Sequence, residues 1–254
     1  MQISDKALTK IYGTLADLEN ECNCRNICWK DYSQYKLGYA QTPYKPYIGA
    51  KYRNILFSGI NLNEGNTSLD AIDNLVNEAE KYLKDERYKI FKQEGYGGSN
   101  FYYYVPLLSF MFKSMTEDKA HFSTEEDISW PNVQEGFQYC ALTNLIKCST
   151  NTPDRRSTPS ETMFQNCSTK FREELAHLPF SVLVTFSYFK YPNLISEFFQ
   201  PSSIIVAEER WRLSQWRDKW ILELEHPMST QVSRERKFQD YNAAMKTTVA
   251  KMMA

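Results

Sequence analysis

Three polar motifs carry the side chains of this chain that are best suited to chemistry, and each follows an apolar run. Asn61 lies in GINLN, Asn144 in LTNLIKC and His226 in EHPMST. An amide side chain can orient a water molecule, although it is a poor general base. An imidazole can donate a hydrogen bond that stabilises negative charge as the charge develops. Each motif alone is weak evidence for a functional site, so its position in the fold decides how much it indicates.

The apolar runs before these motifs predict buried β-strands. We expect four strands, at residues 54–60, 136–145, 180–186 and 220–227. Short apolar runs bounded by turn residues are typical of parallel strands that are buried on both faces. An α/β sheet binds its ligands outside the carboxyl ends of such strands. The polar turn that begins after the first strand is therefore a candidate site.

Helical periodicity separates the predicted strands. We expect helices at residues 1–20, 67–92, 101–112, 160–178, 194–199, 208–219 and from 229 onwards, with loop at 114–135. Strands that alternate with helices predict a parallel sheet covered on both faces. The predicted fold class is α/β, a three-layer α/β/α sandwich with a central, mainly parallel four-stranded sheet. Residues 1–254 are expected to form one domain, with 1–50 as an N-terminal helix and loop extension.

Composition narrows the class of protein. The chain has 254 residues, with 30 basic and 31 acidic side chains. A protein that coats nucleic acid non-specifically is usually more basic, whereas one that grips a few phosphates need not be. No apolar run approaches a membrane span and no leader pattern opens the chain, so we expect a cytoplasmic protein. Its six cysteines favour free thiols or a metal site over disulfides.

Ordinary structural roles are open for each motif. The polar turn at Asn61 is compatible with an Asn/Gly turn before a helix capped by Thr67 or Ser68, because these residue types favour turns and N-caps. Glu64 fits a capping role at the same helix. A histidine before a proline, such as His226, is more often a loop residue than a catalyst.

Taken together, the three motifs resemble those of the uracil-DNA glycosylase superfamily. Its members carry Gly-x-Asn-Pro or Gly-x-Asp-Pro after the first strand, and GIN at residues 59–61 matches the start of that motif. They carry a base-reading Asn in TN(L/V)(V/I)KC, and TNLIKC at 143–148 matches it almost letter for letter. Their His-Pro-Ser loop is matched in part by HPMS at 226–229. The resemblance covers about residues 54–235, and TNLIKC is its most specific part.

The resemblance implies a DNA glycosylase that flips a damaged or modified pyrimidine out of the duplex and hydrolyses its N-glycosidic bond. It makes Asn61 and His226 the catalytic residues and places Asn144 on the Watson–Crick edge of the base. Phe101 and Tyr102 are the candidates for stacking on the base. The expected DNA contacts are an apolar wedge at Met228, the loop residue Ser229, and phosphate contacts at Arg234, Arg236 and Lys237. We expect the enzyme to act as a monomer on DNA.

The first motif departs from the uracil-specific pattern at the positions that bear on substrate choice. Uracil-specific members often have Pro and then an aromatic residue that crowds C5 of the base, and here these positions are Leu62 and Asn63. Asn63 and Glu64 are therefore predicted base-binding residues beside an open C5 side. The substrate is either uracil or, as we favour, a C5-modified cytosine such as the glucosylated hydroxymethylcytosine of phage DNA, which suggests phage defence. The alternative is a catalytically silent protein that binds DNA or a partner.

Cysteine positions add a second link to the superfamily. Its iron–sulfur members continue KC with a loop containing Pro and Arg, a helix and another Cys, as this chain does between Cys148 and Cys167. They also carry a close Cys pair near the N-terminus, for which Cys24 and Cys28 are the candidates, with Cys22 as the spare. Four thiolates can hold a [4Fe–4S] cluster. The N-terminal spacing is not Cys-x-x-Cys and the later loop is longer than usual, so reduced structural cysteines are the alternative.

Overall fold

The structure is a computed structural model that describes residues 47–59, 99–146, 161–188, 198–200, 202–227, 229 and 231–254. Within these residues the chain forms seven β-strands: β1 Tyr47–Ile48, β2 Ile55–Gly59, β3 Cys140–Asn144, β4 Val182–Thr185, β5 Ser203–Ala207, β6 Trp211–Trp216 and β7 Lys219–Leu224. The described α-helices are α1 Ser99–Glu117, α2 Trp130–Gly136, α3 Glu161–His177 and α4 Arg234–Met252. The α/β class is therefore confirmed.

The strands belong to one mixed sheet with the order β1-β3-β2-β4-β7-β6-β5. β4 lies between β2 and β7 and is parallel to both, with Leu183 opposite Leu56 on one side and Ile221 on the other. The four predicted strands are confirmed as β2, β3, β4 and β7, and they are neighbours in the sheet. The prediction of a mainly parallel sheet with only four strands was wrong. β6 pairs antiparallel with both β7 and β5 on the far side of β7, and β1 adds a short strand beside β3.

The parallel strands are apolar because the fold buries them. Ile55, Leu56 and Phe57 of β2 are fully buried, and all four residues of β4 are buried as well. Asn54 adopts a left-handed φ of 61° just before β2, a conformation that Asn tolerates better than most residues. Its carbonyl accepts hydrogen bonds from Ser181 N at 2.8 Å and Val182 N at 3.3 Å. These bonds align the starts of β2 and β4.

The segment at 208–219 is not the helix that we predicted. It contains β6 and the start of β7, which pair antiparallel. Trp211 and Leu213 are buried, and Arg212 between them lies opposite Glu223. All six residues of β6 pair with β7, which makes this part of the segment a strand. The two strands join through Arg217 and Asp218, and Arg217 has a φ of 56°. A positive φ is typical of two-residue hairpin turns.

The region from 114 to 135 is also more ordered than predicted. α1 extends to Glu117, a 3-10 helix covers Glu125–Asp127, and α2 follows. The strand predicted from residue 136 begins only at Cys140, because Gly136 ends α2. A Cβ atom at Gly136 would lie 1.9 Å from the carbonyl oxygen of Pro106 in α1. Only glycine permits this approach of α2 to α1.

The last two long helices form close to where the periodicity predicts them. α3 covers Glu161–His177. α4 begins at Arg234, a few residues later than predicted, because Ser233 is its N-cap and accepts a hydrogen bond from Arg236 N at 3.2 Å. α4 packs against β6, β7 and α1. The helices predicted at 1–20 and 67–92 lie outside the described residues, as does most of the one at 194–199.

The chain divides into two compact units. The first contains Tyr47, Gly59 and the described residues of Leu142–Pro179. The second contains the described residues of Ile48–Ser58, Val76–Ala141 and Phe180–Ala254. The prediction of one domain with an appended N-terminal segment stays a prediction. Within the described residues, no helix combines the length and the apolar character that a membrane crossing requires.

Candidate functional site

Polar side chains collect at the carboxyl ends of β2 and β4 in the second unit. Ser58 of β2 lies opposite Thr185 of β4 in the strand register. The Thr185 and Ser187 hydroxyls are 3.0 Å apart, and all three residues are buried. β2 and β4 are parallel neighbours, so their carboxyl ends lie side by side. The carboxyl ends of such strands are where α/β sheets bind ligands.

His226 lies just beyond the carboxyl end of the neighbouring strand β7. It is exposed, and its ring meets Phe186 edge to face with the ring centroids 6.3 Å apart. Phe186 follows directly after β4 and stacks on Phe57 of β2 at 6.2 Å. The backbone turns here, because Ser229 N donates to the His226 carbonyl at 2.9 Å. We call Glu225, His226, Pro227 and Ser229 the His226 loop.

Two buried donors from α4 hold the backbone of the His226 loop. The Lys237 ammonium donates to the Pro227 carbonyl at 2.5 Å and to the Ser229 carbonyl at 2.8 Å. The Tyr241 hydroxyl donates to the Glu225 carbonyl at 2.5 Å. Both residues are at most 5% exposed. The exposed imidazole therefore lies on a loop whose backbone is fixed from behind.

Charge around the loop is balanced by a network of ion pairs. The buried Glu225 carboxylate accepts a hydrogen bond from Arg210 at 2.8 Å, and Arg210 also approaches Asp240 at 3.8 Å. Asp240 pairs in turn with Arg236 at 3.2 Å. Burial lowers the pKa of Lys237, and the negative charge of Glu225 opposes that shift. The loop is thus held by a cation that has a nearby counter-charge.

The three basic residues predicted to contact phosphates have different surroundings. Arg234 donates to the nearly buried Glu125 at 2.9 Å, and its guanidinium lies 5.1 Å from the ring centroid of Tyr103. Lys237 is buried beneath the His226 loop. Arg236 is the most open of the three, with a side chain that is 56% exposed. In this arrangement Arg236 presents its charge to solvent, whereas Arg234 and Lys237 are engaged inside the unit.

Asn144, the predicted base-reading residue, belongs to the first unit. It is half-buried at the end of β3. The preceding Thr143 hydroxyl donates to the fully buried Glu174 of α3 at 2.8 Å, and the following Leu145 N donates to the Gly59 carbonyl at 3.0 Å. The position of Asn144 is therefore fixed from both sides along the backbone.

Of the four predicted cluster ligands, Cys167 alone falls in the described part of the chain. It is fully buried in α3. The described residues contain no group of three or more His, Cys, Asp or Glu side chains that could hold a metal ion. The remaining predicted site residues lie outside the described residues, and they are Cys24, Cys28, Asn61, Asn63, Glu64, Cys148 and Met228. Phe101 lies in the first turn of α1.

Sequence reasoning missed several residues of this region. Ser58 and Thr185 lie within the predicted strands, and Ser187 directly follows the second of them. A polar residue at the end of an apolar run was a usable signal for all three. Nothing local marked Lys237 and Tyr241 as loop-holding residues, because their partners lie 8 to 16 positions away in the chain.

The chain matches no protein-family model, and no curated protein is detectably similar to it in sequence. The resemblance to the uracil-DNA glycosylase superfamily thus depends on the three sequence motifs alone.

Proposed function

We propose that this protein is a DNA glycosylase with a three-layer fold of the uracil-DNA glycosylase type. It removes a modified pyrimidine and leaves an abasic site. The observation that carries the proposal is the position of His226, which is exposed beyond the carboxyl end of a parallel strand on a loop held by buried donors. TNLIKC, whose Asn144 ends β3, is the supporting sequence motif.

In the proposed reaction, the glycosidic bond breaks as the sugar gains oxocarbenium character and negative charge builds on O2 of the leaving pyrimidine. His226 donates a hydrogen bond to O2, which stabilises the charge only as it develops. Asn61 orients the attacking water. The side-chain amide of Asn144 offers both a donor and an acceptor to the Watson–Crick edge of the flipped base.

The proposed substrate is a cytosine with a bulky C5 substituent. Asn63 replaces the aromatic residue that crowds C5 in uracil-specific enzymes, and Glu64 follows it. Phe101 stacks on the base, and Met228 enters the duplex as a wedge. Arg236, whose side chain is exposed, contacts a phosphate beside Ser229. The proposed setting is phage defence, with an intracellular monomer that acts on modified DNA.

The test is base release from oligonucleotides that contain uracil, a thymine mismatch, hydroxymethylcytosine or glucosylated hydroxymethylcytosine. We expect release of the glucosylated base, with a loss of roughly 100-fold or more in His226→Ala, since removal of one such donor has an effect of this size. Asn61→Ala is expected to lose activity as well. His121→Ala is the matched control, because His121 is an exposed histidine elsewhere in the same unit.

The other outcomes are equally informative. Release of uracil alone would make the protein a repair enzyme and would contradict the role given to Asn63. If no base is released from any oligonucleotide while DNA binding is retained, the glycosylase proposal fails. The protein would then be a binding protein, an alternative favoured by Leu62, which stands where the superfamily motif has Pro.

A further inference from the structure

A buried lysine is an unusual partner for the backbone of an exposed loop. Lys237 is 5% exposed, and its ammonium reaches the carbonyls of Pro227 and Ser229 at 2.5 and 2.8 Å. Taking an ammonium out of water is costly unless its donors are satisfied. The fold retains this charge at a position where an apolar residue would otherwise fill the space, so its two hydrogen bonds are a specific feature of the loop.

The two carbonyls lie on the sequence that follows His226. Lys237 therefore links the first full turn of α4 to the stretch that sets the direction of the imidazole. On the other side of His226, the Glu225 carbonyl accepts from Tyr241, which lies one helical turn beyond Lys237. One helix thus fixes the loop backbone both before and after His226.

From this geometry we infer that Lys237 is a positioning residue, which holds His226 against Phe186 in the orientation used for catalysis, with Tyr241 as a second anchor. The catalytic part of the inference rests on the proposed glycosylase function. The placement of the imidazole does not, and it can be measured on its own. Lys237 is thereby given a role in the interior of the unit in place of the phosphate contact that the sequence suggested.

The matched pair of variants is Lys237→Met and Lys246→Met. Methionine keeps most of the apolar stem and removes the donors. Lys246 is on the same helix and donates to a backbone carbonyl in the same way, to Phe122 at 2.7 Å, but it does not contact the His226 loop in any described bond. Both variants thus lose a lysine-to-carbonyl bond, and only one of them loses a bond to the loop.

The first readout is NMR of protein labelled at histidine, which needs no activity. The chain has three histidines, so His121 and His177 provide internal references and His→Ala variants give the assignment. We expect the His226 resonance to shift or broaden in Lys237→Met and its contacts with the Phe186 ring to weaken, while His121 and His177 are unchanged. Lys246→Met removes a bond to the Phe122 carbonyl, next to His121, and should leave the His226 resonance in place. An unchanged His226 resonance in Lys237→Met would overturn the inference.

The second readout is the single-turnover rate of base release, with DNA affinity measured separately. A displaced donor should slow the chemical step roughly 10- to 100-fold in Lys237→Met with little change in affinity, because misplacement by about 1 Å has effects of this size. A normal rate despite a displaced imidazole would refute the catalytic part. If the wild type releases no base but the NMR shift occurs, the proposed function fails while the placement of His226 by Lys237 is supported.

Thermal denaturation of each variant and a second variant of the loop contacts serve as controls for misfolding. Tyr241→Phe removes one oxygen and keeps the ring that packs on Tyr104 and Phe186. It should move the His226 resonance in the same way, with a smaller loss of rate. If Lys237→Met does not fold, an unchanged His226 resonance in Tyr241→Phe would overturn the inference by itself.

Discussion

The thiol of Cys140 provides a pH test at the scale of a single residue. Burial raises the pKa of Cys140 from its ordinary 9.0 to about 12. Below pH 9 the thiol is protonated in both the folded and the unfolded state. Above pH 9 only the unfolded state releases the proton, so this group stabilises the fold fully below pH 9 and loses that contribution as the pH rises towards 12.

Urea unfolding at pH 8 and pH 10 would measure this effect. We expect the free energy of unfolding of the wild type to fall between these pH values by about 1.4 kcal/mol more than that of Cys140→Ala, which is the value of one pKa unit. The comparison between the two proteins removes the contribution of the tyrosines, which titrate higher. An equal loss in both proteins would show that the thiol is not shielded in the folded state.

At the same scale, residue type indicated which side chains could carry chemistry, but it did not predict their surroundings. His226 and Asn144 could be singled out because they follow strands that were visible as apolar runs. Arg234, Arg236 and Lys237 could not be distinguished, because all three are basic residues at the start of one helix. Their different exposure follows from partners far away in the sequence, such as Glu125 for Arg234, 109 positions apart.

At the scale of the elements, the contact of α2 with α1 depends on one missing side chain. Gly136→Ala would place a Cβ atom 1.9 Å from the Pro106 carbonyl oxygen. Because the atoms that it would meet belong to the backbone of α1, no side-chain rotation can relieve the clash. We expect it to lower the free energy of unfolding by about 3 kcal/mol, the upper end of the usual range for overpacking. Asn132→Ala, in the same helix, should change it by less than about 0.5 kcal/mol.

Urea unfolding of the two alanine variants is the measurement for this contact. A Gly136→Ala protein as stable as Asn132→Ala would mean that the two helices separate without cost. In that case the close approach would not be part of what holds α1 and α2 together.

The strands of the sheet differ in how well sequence periodicity predicts them. β2, β4 and β7 were predictable because burial on both faces requires continuous apolar runs. The segment at 208–219 was read as a helix because its Glu, Arg and Leu residues favour helices, while the strand β6 within it spans only six residues. Pairing with β7 across a two-residue turn decides its structure, and such tertiary effects routinely override local propensity.

At the scale of the whole molecule, a metal cluster would connect parts of the chain that are far apart. The predicted ligands Cys24, Cys28, Cys148 and Cys167 span more than half of the sequence. Cys167 is buried in α3, and Cys140 is buried at the start of β3. Burial suits a ligand and also suits a structural thiol, so burial alone does not distinguish these two roles.

Cys167→Ser and Cys140→Ser form the matched pair that does distinguish them, since each removes a buried thiol and only Cys167 is a predicted ligand. We expect anaerobically purified wild-type protein to contain about four irons per chain, held by four thiolates. It should also absorb light at about 400 nm. Cys167→Ser should lose most of the iron, whereas Cys140→Ser should keep it even if its stability falls. A wild type without iron, or equal loss in both variants, would favour structural cysteines. Base release by an iron-free wild type would then show that the proposed chemistry at His226 does not require a cluster.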